Sequence, residues 1–160
     1  MRIRLLTGAL LLAACGGGAG PAAVAPQGAA AATPEAAVRA FLQAATDSNI
    51  ARMSMLWGTE KGPAFKTHQP SEYMKRLEVI QIYLRDIKYT VGNIHPASDD
   101  ASKQVVEVII DRSSCHRTMP VTAAQSSRDG WVVYQFDLNT AGSPQRPCRD
   151  AGADQIQPKH

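Results

Sequence analysis

The sequence predicts an α+β domain in which N-terminal helices pack on one face of a four-stranded antiparallel sheet. Three observations carry this. Apolar residues recur at three- and four-residue spacing through the first half of the domain, and the period falls to two after Asp86. The strands that follow are consecutive and joined by short turns, the order in which helices cover an antiparallel sheet rather than interleave with a parallel one.

Each element has its own signal. Thr33-Pro34-Glu35 is a helix start: a capping hydroxyl, proline at the first helical position and an acid in the first turn. Val38, Phe41, Leu42 and Ala45 then share one face of a helix running to about Thr46. Asp47-Ser48-Asn49 breaks it and caps a shorter helix bearing Ile50, Met53, Leu56 and Trp57. Gly58 to Pro70 reads as a loop, with Gly58 as a helix C-cap. Ser71 is expected to cap the longest helix, whose stripe is Tyr73, Leu77, Ile80, Leu84 and Ile87. Lys75-Arg76 and Arg85-Asp86 fall on its solvated face.

The strands are expected at Lys88–His95, Gln104–Arg112, Cys115–Ala123 and Trp131–Leu138, with turns at 95–100 and 128–130. Pro120 cannot donate a ladder hydrogen bond and so belongs at an edge or bulge. Val132, Tyr134, Phe136 and Leu138 alternate and are assigned to one face.

The chain has 160 residues, 44% hydrophobic and 19% charged, enough for one ordinary domain. Its 17 Lys and Arg against 14 acids give +3, and Arg2 and Arg4 lie in the leader, leaving 15 against 14. That balance, spread without runs, excludes a nucleic-acid binder, which needs a concentrated basic face.

Met1-Arg2-Ile3-Arg4 is a positive segment followed by an apolar run, Leu5 to Leu12, too short for the roughly 20 residues that span a bilayer. Leu12-Ala13-Ala14-Cys15 resembles the lipobox of bacterial lipoproteins. The resemblance implies cleavage before Cys15, lipid on its thiol and amine, and anchoring in the cell envelope. Gly16 lacks the aspartate of inner-membrane retention, which points to the periplasmic side of the outer membrane. The expected division is a signal at 1–14, Cys15 and a tether at 15–32, one domain at 33–150 and a polar tail at 151–160. The Gly/Ala/Pro tether has no charge and buries little, and as a coil it spans roughly 25 Å.

Pro34-Glu35-Ala36-Ala37-Val38-Arg39-Ala40-Phe41-Leu42 and Gly130-Trp131-Val132-Val133-Tyr134-Gln135-Phe136 resemble the opening helix and a late strand of the nuclear-transport-factor-like (NTF2-like), or cystatin-like cone, superfamily. The match in topology covers about 33–138. It implies a curved sheet, a conical pocket between helices and sheet, and homodimers formed through the sheet. It implies no single activity, because the superfamily holds isomerases, cyclases and non-enzymatic modules.

Two cysteines remain after lipidation. In an oxidising envelope Cys115 and Cys148 read as a disulfide. It closes a loop of about 33 residues and contributes up to about 3.7 kcal/mol in the chain-entropy model. A metal site from Cys115, His116, Cys148 and His160 matches no zinc spacing, and no metal or cofactor is expected. His68, His95, His116 and His160 are read as surface residues. Asp111 and Asp137, the carboxylates an isomerase-like cone would use, alternate opposite to the apolar faces and point to solvent. Trp57, Tyr89 and Tyr134 are the candidate pocket residues, although periodic aromatics are also the usual core.

The leading expectation is thus a non-enzymatic, membrane-anchored envelope domain that binds a small apolar ligand or a protein partner. A cone-superfamily enzyme using a pocket Asp or Tyr is the first alternative, and an outer-membrane assembly or structural lipoprotein the second.

Overall fold

A computed structural model describes residues 31–98, 100–112 and 115–145. The leader, the tether as far as residue 30, Cys15, Cys148, His160 and the polar tail lie outside the described residues.

The α+β architecture is observed. In chain order the elements are α1 (Pro34–Thr46), α2 (Ile50–Leu56), β1 (Gly58–Thr59), β2 (Gly62–Pro63), α3 (Ala64–Thr67), α4 (Tyr73–Leu84), β3 (Lys88–Ala97), β4 (Asp100–Arg112), β5 (Cys115–Ser126), β6 (Gly130–Phe136) and α5 (Leu138–Ala141). The four long strands form an antiparallel meander in the order β3-β4-β5-β6, and β1 and β2 make a separate hairpin.

Helix starts follow local chemistry where a short polar side chain reaches the first turn. Thr33 Oγ1 accepts from Ala36 N at 3.1 Å, and Asn49 Oδ1 accepts from Arg52 N at 2.9 Å, each satisfying one orphan donor. At α4 the expectation fails. Ser71 and Glu72 form a turn, with Glu72 in the left-handed region at φ 57°, and no side chain caps the helix. The Glu72 carboxylate pairs instead with Lys75 Nζ at 2.7 Å. Consequently α4 has 12 residues, one fewer than α1, and is not the longest helix.

The core lies between the helices and one sheet face. Phe41 and Leu42 of α1, Met53 and Leu56 of α2, and Leu77 and Leu84 of α4 meet Val106, Val108, Ile110, Met119, Val121 and Val133 of the strands, all at most 1% exposed. Val106, Val108 and Ile110 share the inner face as their alternation predicts.

The last strand departs from simple alternation. Ala123 pairs with Val133, but Thr122 pairs with Gln135, so Tyr134 is an extra residue in β6. This bulge reverses the face assignment on either side of it. Val133 and Phe136 therefore face the core, Val132 does not belong with them, and Leu138 leaves the strand for α5. β3 carries a second irregularity between Val91 and Ile94, which bends the opposite edge. Pro120 lies in a strand that has two neighbours, opposite Glu107 of β4; β6 pairs with β5 only from Val121 onward, so Pro120 sits beyond the end of that ladder.

Gly58–Pro70 is not wholly a loop. It contains the β1–β2 hairpin and the single turn α3. Trp57 forms a parallel bridge to Val133, which lays this segment along the outer edge of β6. Among the described residues no helix is long and apolar enough to cross a membrane.

Candidate functional site: a groove at the β6 edge

The segment beside β6 and the first turns of α4 enclose an open groove of about 360 Å³. Trp57, Gly58 and Thr59 form one wall, with Pro70 beside them. Arg76 and Ile80 of α4 form the second, and Tyr134, Gln135, Phe136 and Leu138 close the third.

Each wall has a local cause. Trp57 ends α2: its N–H donates to Met53 O at 2.9 Å and its carbonyl accepts from Ala64 N at 2.7 Å, so its backbone is fixed from both sides. Gly58 is not a left-handed cap. A Cβ there would lie 2.2 Å from Gly62 O and 2.9 Å from Pro63 Cα, so the hairpin can fold back only over a residue with no side chain. Phe136 reaches inward to Phe41, with ring centroids 5.8 Å apart and planes tilted by 57°, an arrangement that aromatic quadrupoles favour. Asp137 then caps α5 by accepting from Asn139 N at 2.9 Å, which turns Leu138 back onto the groove.

Charge pairs hold the hairpin in place. Lys103 Nζ lies 2.6 Å from Glu60 Oε1 and 3.0 Å from Asp100 Oδ2, and 4.8 Å over the Tyr134 ring. Those two carboxylates, Glu60 first, hold the Lys103 ammonium above its ordinary range. The Ser102 hydroxyl and N–H, and then Lys103, lower the Asp100 carboxyl to about 2. Lys103 similarly depresses Glu60. On the other side Lys66 Nζ pairs with Asp129 Oδ1, joining α3 to the β5–β6 turn.

Of the three aromatic candidates, Trp57 and Tyr134 come together in the groove and Tyr89 does not. Tyr89 lies against α1, where its hydroxyl donates to Arg39 O at 3.3 Å and burial raises its pKa. Asp111 and Asp137 are also away from the groove. The former pairs with His116 and the latter is the α5 cap. His68, His95 and His116 are exposed. Cys115 opens β5 opposite Arg112. Among the described residues no group of three His, Cys, Asp or Glu could hold a metal ion.

Two residues escaped the sequence reading. Arg76 is exposed, as its assignment to the solvated face of α4 expects, but it also borders the groove one turn before Ile80, and that spacing was the available signal. Arg112 continues the inner alternation of Val106, Val108 and Ile110 into a buried cation, 7% exposed. It donates to Gly142 O at 2.9 Å and to Tyr83 O, the latter in the last turn of α4, where carbonyls lack helical donors. Burial lowers its pKa.

Helices cover one face of a bulged antiparallel sheet, and a groove lies at its β6 edge, which defines an α+β scaffold. A solved structure described as an NTF2-like protein of unknown function from Cytophaga hutchinsonii is similar to it, with 12% identity over 68% of this chain and 94% of that chain and a TM-score of 0.39. No family model and no curated protein matches the sequence.

Proposed function

We propose that this chain is a lipid-anchored binding domain of the bacterial cell envelope, on the periplasmic side of the outer membrane, that takes a small apolar ligand in the groove. The observation that carries this is the lining. Trp57, Ile80, Phe136 and Leu138 supply the walls, and among the described residues no carboxylate or imidazole lines them. Such a site can orient and bury a ligand but offers no proton acceptor poised near neutral pH, which general-base chemistry requires. That favours binding over the isomerase-like alternative.

Anchoring rests on the lipobox-like Leu12-Ala13-Ala14-Cys15, and the tether gives the domain its distance from the headgroups. A Cys115–Cys148 disulfide fits the same envelope setting. Arg112, the strand partner of Cys115, is bonded to Gly142 O. Cys148 is six residues beyond Gly142, and six residues reach about 20 Å at most.

The experiment has two arms. A neutral solvatochromic dye should shift its emission to the blue on the wild-type protein and not on Ile80→Asp, with the circular dichroism spectrum of both unchanged. No shift with the wild type overturns the binding assignment. Mass spectrometry of protein recovered from its host should find an acylated N-terminal Cys15, and an unmodified N-terminus overturns the anchor.

A protein partner, as an assembly or structural lipoprotein would need, is favoured by a different surface. Phe65 is 57% exposed, and Val79 and Ile82 on the outer face of α4 are 50% and 45% exposed, apolar area that a partner would cover. A Val79→Glu/Ile82→Glu variant that abolishes function in the host while retaining dye binding would select this reading.

A further inference from the structure

We infer that the groove's ligand is a single-chain amphiphile with an anionic head, its head on Arg76 and its apolar body against Trp57, Ile80, Phe136 and Leu138. This deepens the binding reading above and rests on it.

The charge pattern around the site points to the head. Arg76 is the single formally charged side chain in the lining, and among the described residues no carboxylate forms an ion pair with it. Its helix neighbours are engaged: Lys75 pairs with Glu72 at 2.7 Å and Arg85 with Asp86 at 3.1 Å. The nearby Lys103 is likewise saturated by Glu60 and Asp100. An incoming carboxylate or phosphate thus finds one unclaimed guanidinium, whose planar fork suits two parallel hydrogen bonds. A cationic head would meet like charge there, and a neutral head would forgo the pairing.

The walls point to the body. Five apolar side chains, Trp57, Pro70, Ile80, Phe136 and Leu138, flank the cation, and the polar groups Thr59, Tyr134 and Gln135 carry no formal charge. A free inorganic anion would meet one cation and mostly hydrocarbon, too little to replace its water. The 360 Å³ of space stands at the small end of ligand sites, which run from roughly 300 to 1,000 Å³. It fits one medium-length chain rather than a two-chain lipid.

The test is calorimetric titration of the full chain carrying Cys15→Ser, so that no acyl group of its own competes. The probes are decanoate, decyl phosphate, decanol and decyltrimethylammonium below their micellar concentrations. Decanoate or decyl phosphate should bind about tenfold more tightly than decanol at low salt, with the advantage shrinking as ionic strength rises. Which of the two anions binds better identifies the head. Arg76→Gln should remove the advantage, so that the anionic probes bind the variant no more tightly than decanol binds the same variant. Equal binding of all four probes, or an advantage that survives Arg76→Gln, overturns the inference while leaving a groove that binds apolar chains. No binding of any probe to a folded protein overturns the groove reading itself.

Discussion

The helix-covered face of the sheet and the hairpin segment beside β6 are held together by different physics. On the covered face, Phe41, Leu77 and Ile110 are at most 1% exposed and touch apolar neighbours on several elements. Their burial is worth about 1.5–3 kcal/mol per side chain and involves no group that titrates. Residues Gly58 to Glu72 bury few large side chains; they are fixed by a glycine-dependent backbone crossing and by the ion pairs at Lys103 and Lys66. Such pairs, each with one partner open to water, contribute little and respond to solvent. The groove is thus built where a rigid wall meets a softer one, and local opening should start at the softer one.

Cutting the rigid wall should produce the largest effect. Phe41→Ala or Leu77→Ala removes a fully buried side chain and is expected to destabilise the fold by about 3–5 kcal/mol in chemical denaturation. A loss under about 1 kcal/mol would mean that the core is looser than its burial indicates.

Glycine substitutions sharpen the contrast. Gly58→Ala forces backbone to move, because its Cβ would stand 2.2 Å from Gly62 O, whereas Gly92→Ala meets Glu107 O at an acceptable 3.4 Å. The first should cost about 1–3 kcal/mol and abolish dye binding, and the second should be within about 1 kcal/mol of wild type. Equal melting temperatures for the two variants would contradict the crossing as the cause.

At the sheet's far end, Arg112→Met leaves the carbonyls of Tyr83 and Gly142 without their donor. A loss of about 1–3 kcal/mol is expected, and Arg112→Lys should recover part of it. Hydrogen exchange should quicken at the end of α4.

Acid should probe the softer wall alone. The Asp100 carboxyl is depressed to about 2 from an ordinary 3.8, so its contribution is complete above roughly pH 4 and disappears as pH falls toward 2. Glu60 titrates in the same direction. Faster exchange or shifted resonances at Glu60 and Lys61 should therefore appear between pH 4 and 2, before global unfolding, and should be smaller in high salt. Lys103→Gln should show that opened state already at neutral pH. No pH response in the wild type would assign the hairpin's order to its backbone alone.

How far the sequence could be read follows the same division. Phe41, Met53, Leu77 and Val108 were legible because periodicity and burial agree over whole elements. The caps at Thr33 and Asn49 were legible because their partners are three residues away. Ser71 looked like an equal cap, yet the turn through Glu72 displaced the helix start. The face of β6 was misjudged because the bulge at Tyr134 is a property of its pairing with β5. Of the candidate residues, Trp57 and Tyr134 border the groove while Tyr89 lies against α1, and the exposed Arg76 also borders the groove, a placement no local pattern gives because a groove is defined by neighbours remote in sequence.

By itself the chain's order of residues determined the α+β class, the apolar faces of α1, α2 and α4, and the inward face of β4, because hydrophobic period and side-chain capping act within a few residues. Tertiary structure alone decided that Gly58 to Pro70 lies along β6, that Tyr134 interrupts the last strand, that Arg112 enters the interior and that Arg76 overlooks the groove. Each of those outcomes depends on strand register and on packing between elements far apart in the chain, which no local pattern encodes.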